Sequence, residues 1–261
     1  MKILYFFFSK FYQIIFDFIK FVKLVLNFAG DYYLFTKLFK QQALDDHWKL
    51  KLYPCLYDKE QKAGEVGEYF YQDLFVMRKI MESDHSRHID IGSRIDGFIG
   101  NLSVAKKVEV LDIRPLDLEI ENVKFTQIDI NKIPDEYFSI ADCVTCLHTI
   151  EHIGLGRYGD TIDTSGWKKT LNSLSKILQD KGILWLSVPS GIQRIEFNAH
   201  RVFEPETVVK EALKNKLELR KFYFFEYSNP KIVESKDIQF DFERIAKIDY
   251  CLGIYCFEKI K

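Results

Sequence analysis

Apolar residues recur along this 261-residue chain in two rhythms, and the change between them comes near residue 88. Before it the spacing is helical. In residues 1–40 the polar positions Lys10, Gln13, Asp17, Lys20 and Asn27 form a narrow stripe on an otherwise apolar face. Further on, Phe70, Leu74 and Met77 predict a helix leading into the first strand. Between these segments lies a connecting region with Trp48, Pro54 and Gly64.

From 88 onward short apolar runs alternate with helical patterns. Strands are predicted at 88–91, 108–111, 124–128, 141–147 and 182–188. The last follows a helix with Trp167, Leu171, Leu174 and Leu178 on one side, capped by Asp163 or Ser165 and stopped by Gly182. A helix near 205–215 precedes strands at 217–225 and 250–258. Such alternation implies a mostly parallel sheet with helices on both faces; the resemblance described below adds an antiparallel last strand. The expected organisation is α/β: an aromatic amphipathic segment at 1–45, then a Rossmann-like domain at 46–261.

Composition sharpens this picture at the start of the chain. Residues 1–40 hold 14 of the 40 aromatic residues, ten of them phenylalanine, with six lysines against two aspartates. Charges interrupt the apolar stretch every few residues, so a spanning helix is not expected, and Lys10 splits the apolar core of any cleaved signal. Two readings stand. The segment packs on the domain or on a second copy of the chain, or it lies in a membrane surface with lysines toward the headgroups. The overall net charge of −1 offers no broad basic surface, so nucleic acid is not an expected partner.

Five cysteines give no disulfide framework and suit a reducing, cytoplasmic setting. Cys143 and Cys146 are spaced like a zinc pair, but strand positions three apart face opposite ways, so no metal site is expected there.

Candidate chemistry gathers at the carboxyl ends of the predicted strands, where open α/β sheets bind ligands. The first strand delivers Asp90, Gly92, Ser93 and Arg94. The second ends in Asp112, 20 positions after Gly92. That spacing suits a nucleoside: the glycine admits close backbone approach and the carboxylate accepts from the ribose hydroxyls. Asp129 follows the third strand, as an adenine-edge contact or a solvent-facing turn. The fourth delivers His148, Glu151 and His152. These three spell H-x-x-E-H, a zinc-peptidase pattern that needs a helix. A preceding strand and the helix-breaking Gly154 and Gly156 set zinc hydrolysis aside. His152 or His148 instead suits proton removal from a substrate hydroxyl, beside the plainer role of orienting a loop. Arg157, Tyr158 and Asp160 in a glycine-rich loop, and Glu196, Asn198, His200 and Arg201 after the fifth strand, are candidates for a substrate-binding wall.

Together these elements resemble class I methyltransferases that use S-adenosylmethionine. A closer resemblance is to a methyltransferase-like family, a domain of unknown function associated with bacterial surface-polysaccharide gene clusters. It rests on Tyr69-Phe-Tyr-Gln-Asp-Leu, His88-Ile-Asp-Ile-Gly-Ser-Arg-Ile-Asp-Gly and Leu147-His-Thr-Ile-Glu-His-Ile-Gly-Leu-Gly-Arg-Tyr-Gly-Asp. Ser187-Val-Pro-Ser-Gly and Arg194-Ile-Glu-Phe-Asn-Ala-His-Arg-Val-Phe complete it, over about residues 50–225. The resemblance implies O-methylation of a sugar or other small hydroxylated acceptor in surface glycan biosynthesis. Asp90, Gly92, Ser93, Arg94, Asp112 and Asp129 would face the cofactor, and His152, with His148 and Glu151, the reacting group. The chain departs from the family's glycine-rich loop: Arg94 and Asp96 stand where glycines are usual. Arg94 either blocks the cofactor or pairs with its methionine carboxylate. Two rival functions remain: a catalytically silent scaffolding module at a membrane, and a nicotinamide-dependent Rossmann enzyme, for which the glycine loop is too sparse.

Overall fold

The computed structural model describes residues 2–41, 51–57 and 66–261. They fall in two compact units, Met1–Glu65 and Val66–Lys261. Trp48, Gly64 and the 45/46 boundary expected from the sequence lie outside the described residues.

Among the described residues of the first unit, Lys2–Gln41 form the helix α1. At 1.5 Å per residue it is roughly 60 Å long. Aromatic pairs one turn apart, Phe28 with Tyr32 and Phe35 with Phe39, stack along it, and Gln13 bonds Asp17 across one turn. Among the described residues no helix is long and apolar enough to cross a membrane.

The second unit opens with α2 (Glu68–Met81), which enters β1 (His88–Ile91). A π-type turn at Ile95–Ile99 and the short α3 (Gly100–Ser103) lead to β2 (Val108–Asp112), then β3 (Val123–Gln127) and β4 (Ala141–Leu147). After α4 (Gly166–Ile177) come β5 (Leu178–Ser190) and a small hairpin, β6 (Arg194–Glu196) with β7 (His200–Val202). The chain closes through α5 (Pro205–Lys214), β8 (Leu217–Glu226), β9 (Lys231–Glu234), α6 (Ile238–Ile245) and β10 (Cys251–Lys259).

Eight strands form one sheet in the order β3-β2-β1-β4-β5-β10-β8-β9. The first five run parallel, and β10 inserts antiparallel between β5 and β8. The order reverses between β1 and β4, which opens a crevice at their carboxyl ends. Strand alternation feeds two cores. Val108, Val110, Cys143 and Leu147 pack with Val76, Ile80 and Phe98 on one face. Leu111, Val144 and Cys146 pack with Leu171 and Leu174 of α4 on the other. Cys143 and Cys146 thus enter different cores, and burial pushes both thiols up, away from thiolate.

Most strand ends fall within a residue of the sequence expectation, but the junction of α4 and β5 does not. Leu178 is not the last helical residue: α4 ends at Ile177, and Leu178 starts β5 paired with Ala141. Backbone N–H groups of Ser139 and Ile140 bond the carbonyls of Lys176 and Ile177, so the helix end needs no glycine cap. The hairpin β6–β7, β9 and α6 were not predicted; α6 is started by Asp237, whose carboxylate accepts from the Phe240 amide.

Candidate functional site

The turn after β1 is built from beneath. Gly92 adopts φ +68°, and a Cβ there would stand 2.7 Å from Thr149 Cγ2, so both backbone and space call for glycine. Asp90, wholly buried, accepts from the Ser93 amide at 2.9 Å and its hydroxyl at 2.7 Å. Thr145 Oγ1 donates to the same carboxylate and, in turn, accepts from His88 Nε2 at 2.9 Å. Burial pushes the Asp90 carboxyl up to about 6 and the His88 imidazole down to about 3. Asp90 does not line the cavity described below. Its donors are internal, so the expected cofactor contact becomes a support that holds Gly92 and Ser93 in place.

Arg94 leaves the glycine turn in ordinary extended backbone, φ −66° and ψ 130°. Its guanidinium pairs with Asp96 at 2.7 Å and its side chain is 74% exposed. It therefore rims the cavity without filling it. Gly97 leaves room for Asp73, whose Oδ2 would lie 2.9 Å from a Cβ there.

At the end of β2, Asp112 holds a neighbour. Arg114 donates to it from the backbone N–H at 2.8 Å, from Nε at 3.0 Å and from Nη2 at 2.5 Å. The Arg114 guanidinium also lies 4.9 Å from the ring centre of Tyr158. Asp129 caps a short turn by accepting from the Asn131 amide at 3.0 Å, and pairs with Lys132 at 3.2 Å.

Beyond β4, His148 takes a left-handed backbone, φ 49°, and turns its ring toward Glu151. His148 Nδ1 donates to Glu151 Oε1 at 2.8 Å, while His148 Nε2 and Glu151 Oε2 are buried without a partner. His152 Nδ1 donates to the Ala199 carbonyl at 2.6 Å, which leaves Nε2 as the basic nitrogen of the neutral ring. Burial holds its pKa below the usual value, although nearby Glu151 opposes this, so the ring is neutral at neutral pH.

The glycine-rich loop wraps Asp160, which accepts from the Gly154, Gly156 and Tyr158 amides. Arg157 bonds the Ala199 carbonyl at 2.9 Å and lies 5.2 Å from the Tyr158 ring.

A cavity of about 390 Å³ collects these groups. Its lining includes Gly92, Ser93, Arg94, Asp112, Asp129, His148, Glu151, His152, Arg157, Tyr158, Asp160 and His200. Three residues expected on its wall are not there. Glu196 is exposed and pairs with Arg194 and His200, and Asn198 faces solvent at the hairpin tip. Arg201 is buried behind the wall, where Nη1 donates to the carbonyls of Glu151 and Ile153 and so fixes the loop carrying the histidines. Sequence reading passed over Tyr69, Asp73, Arg114 and Tyr250, all on the lining. Tyr69 meets His148 edge-on at 4.5 Å, and burial helped by Glu151 pushes its phenol up to about 12. The only signal for Tyr69 and Asp73 was their place in a family-like stretch of α2.

Solved structures with the same architecture include 1,6-didemethyltoxoflavin-N1-methyltransferase from Burkholderia thailandensis, with its acceptor and S-adenosylhomocysteine bound: TM-score 0.53, 10% identity, over 74% of this chain and 79% of that one. The N-methyltransferase NodS of Bradyrhizobium japonicum WM9, also with S-adenosylhomocysteine, gives 0.51 at 16% identity over 87% and 98%. The [4+2]-cyclase SpnF gives 0.52 at 10% identity over 72% and 80%. Strand order and these likenesses define the second unit as an α/β protein with the Rossmann-like class I methyltransferase fold. More narrowly, residues 102–213 match the family model described as Caenorhabditis protein of unknown function, DUF268. That description carries no bacterial polysaccharide association, unlike the family resemblance read from the sequence. No curated protein matches the chain.

Proposed function

We propose that the chain is an S-adenosylmethionine-dependent methyltransferase acting on an oxygen of a small hydroxylated acceptor, a sugar of a surface glycan being the leading class. One observation carries the reading: a single cavity unites Gly92 and Asp112 with His152. The residues suit the cofactor. Gly92 gives the cavity a lining of bare backbone at φ +68°, where a Cβ would strike Thr149, and Asp112 ends the neighbouring strand at the ribose-binding position. When bound, the cofactor supplies an electrophilic methyl group.

The chain's own residues would do the rest. Asp112 would anchor the ribose, with Ser93 beside the amino-acid end and Asp129 beside the adenine. His152 would accept the acceptor's hydroxyl proton at Nε2, its Nδ1–H held by Ala199. Glu151 and His148 would set that geometry, and Arg157, Tyr158, Asp160 and His200 would contact the acceptor. Most of the rate gain would come from positioning.

Calorimetry with S-adenosylhomocysteine tests this. Micromolar binding that Asp112→Ala abolishes supports the enzyme. No heat at high ligand concentration favours a silent scaffolding module on the same fold, a fold that SpnF carries as a cyclase.

A second property has its own support. Phe16, Phe18, Leu26 and Tyr33 of α1 are each 66% exposed or more, with lysines interspersed. We read α1 as a peripheral anchor at the inner face of the cell membrane, where Phe and Tyr enter the interface and Lys meets anionic headgroups. Flotation with anionic liposomes of the full chain, but not of a Phe16→Ser, Phe18→Ser, Leu26→Ser variant, is the expected result. Failure of both to float, with a concentration-dependent dimer, would assign these exposed apolar residues to self-association.

A further inference from the structure

Arg114 stands in the place that a nucleoside would claim on Asp112. A carboxylate has about four lone-pair sites. Arg114 fills three of them, from N, Nε and Nη2. One remains, and a ribose diol brings two hydroxyls. The backbone bond can stay, because it comes from the turn itself, but the guanidinium and the diol cannot both be served in full.

The guanidinium is not an isolated side chain. It packs over Tyr158, which His152 meets edge-on at 5.4 Å and which Arg157 covers at 5.2 Å. Arg157 in turn bonds the Ala199 carbonyl that orients His152. Tyr158 sits in a loop whose Gly154, Gly156 and Gly159 take φ values of +84°, +72° and +83°, positions that other residues rarely adopt. One side chain therefore joins the ribose carboxylate to the loop over the acceptor end of the cavity.

We propose that Arg114 is an internal competitor for Asp112, and that cofactor binding displaces its guanidinium and frees the Tyr158 loop to receive the acceptor. This rests on the methyltransferase reading and adds an order to it: cofactor first, acceptor second. Arg114 acts through Asp112 and Tyr158, as a positioning residue and not as a catalytic one.

The test is titration of the full chain with S-adenosylhomocysteine, wild type beside Arg114→Ala and Arg114→Lys. An ion pair of this exposure is worth a small factor, so Arg114→Ala should bind about fivefold more tightly. Arg114→Lys, which keeps the charge but loses the fork, should fall between. Amide hydrogen exchange across residues 154–160 supplies a second readout. It should rise when wild type is saturated and already be high in unliganded Arg114→Ala. Unchanged or weaker binding by Arg114→Ala, or slower loop exchange on saturation of wild type, overturns the proposal while leaving the enzyme reading intact. Absence of binding by wild type and Arg114→Ala alike would overturn both.

Discussion

Two carboxylates sit at or just beyond the ends of the neighbouring strands β1 and β4, and both are almost completely sealed from solvent. Asp90 has every need met: Ser93 donates twice, Thr145 once, and His88 backs the threonine. Glu151 has one oxygen on His148 and the other with no partner, and it lines the cavity where Asp90 does not. A buried polar group left unpaired costs stability that folding alone gives no reason to spend. Together with its place on the cavity lining, this difference supports the proposed role of Glu151 at the ligand end of the site, with Asp90 as a support of the fold.

The comparison breaks most visibly through activity. Glu151→Gln and His152→Gln should each lower kcat/KM by about 100-fold or more, with melting temperatures close to wild type. Asp90→Asn should do the reverse. Its amide meets donors on every side, so unfolding stability should drop by about 1–3 kcal/mol. Denaturant unfolding and steady-state rates on the three variants check this. A stable but inactive Asp90→Asn would put Asp90 in the chemistry and end the distinction.

The sequence made the same two sites legible to different degrees. The parallel strands, and Gly92 and Asp112 at their ends, were readable because they depend on short-range signals: apolar runs, a glycine at a strand end, and one fixed spacing. His148, Glu151 and His152 were also singled out, as polar residues directly beyond a strand, and all three line the cavity. The role of Asp90 was not, since a strand-end aspartate reads alike whether its partners are internal or a ligand; Thr145 and His88 are distant in sequence. Arg201 was misplaced for a related reason. An arginine in a loop suggests a substrate contact, yet here it bonds backbone carbonyls 48 and 50 residues away. Arg114 went unnoticed because two residues after Asp112 it looks like any solvated turn cation.

The buried β1 pair also leaves a mark on pH dependence. The His88 imidazole titrates near 3 when folded against 6.5 in a model peptide, so it withdraws stability as pH falls below about 6.5. Asp90 is raised from 3.8 to about 6, so its protonation in the folded state adds stability as pH falls through that range. Between about pH 6 and pH 4 the two oppose each other. Asp90→Asn removes one side, and stability should then decline more steeply than in wild type, by about 1.4 kcal/mol per pH unit. Urea midpoints at about pH 6 and pH 4 give the comparison; parallel slopes for variant and wild type would mean that the two groups are not titrating as a buried pair.

The smallest effect belongs to the departure that stood out most in the sequence. If Arg94 replaced a glycine that the cofactor needed, Arg94→Gly should improve binding. The backbone argues otherwise: φ −66° and ψ 130° are open to any residue, and the guanidinium points to Asp96. An exposed ion pair contributes little. Glycine loosens the unfolded chain, so the variant should lose up to about 1 kcal/mol of stability while its affinity for S-adenosylhomocysteine stays within about twofold. A tenfold gain would make Arg94 an obstruction and a tenfold loss would make it a clamp on the methionine carboxylate. Either result would move the functional boundary of the cradle outward from Gly92 and Ser93. An unchanged affinity would keep it at the two residues that Asp90 supports from below.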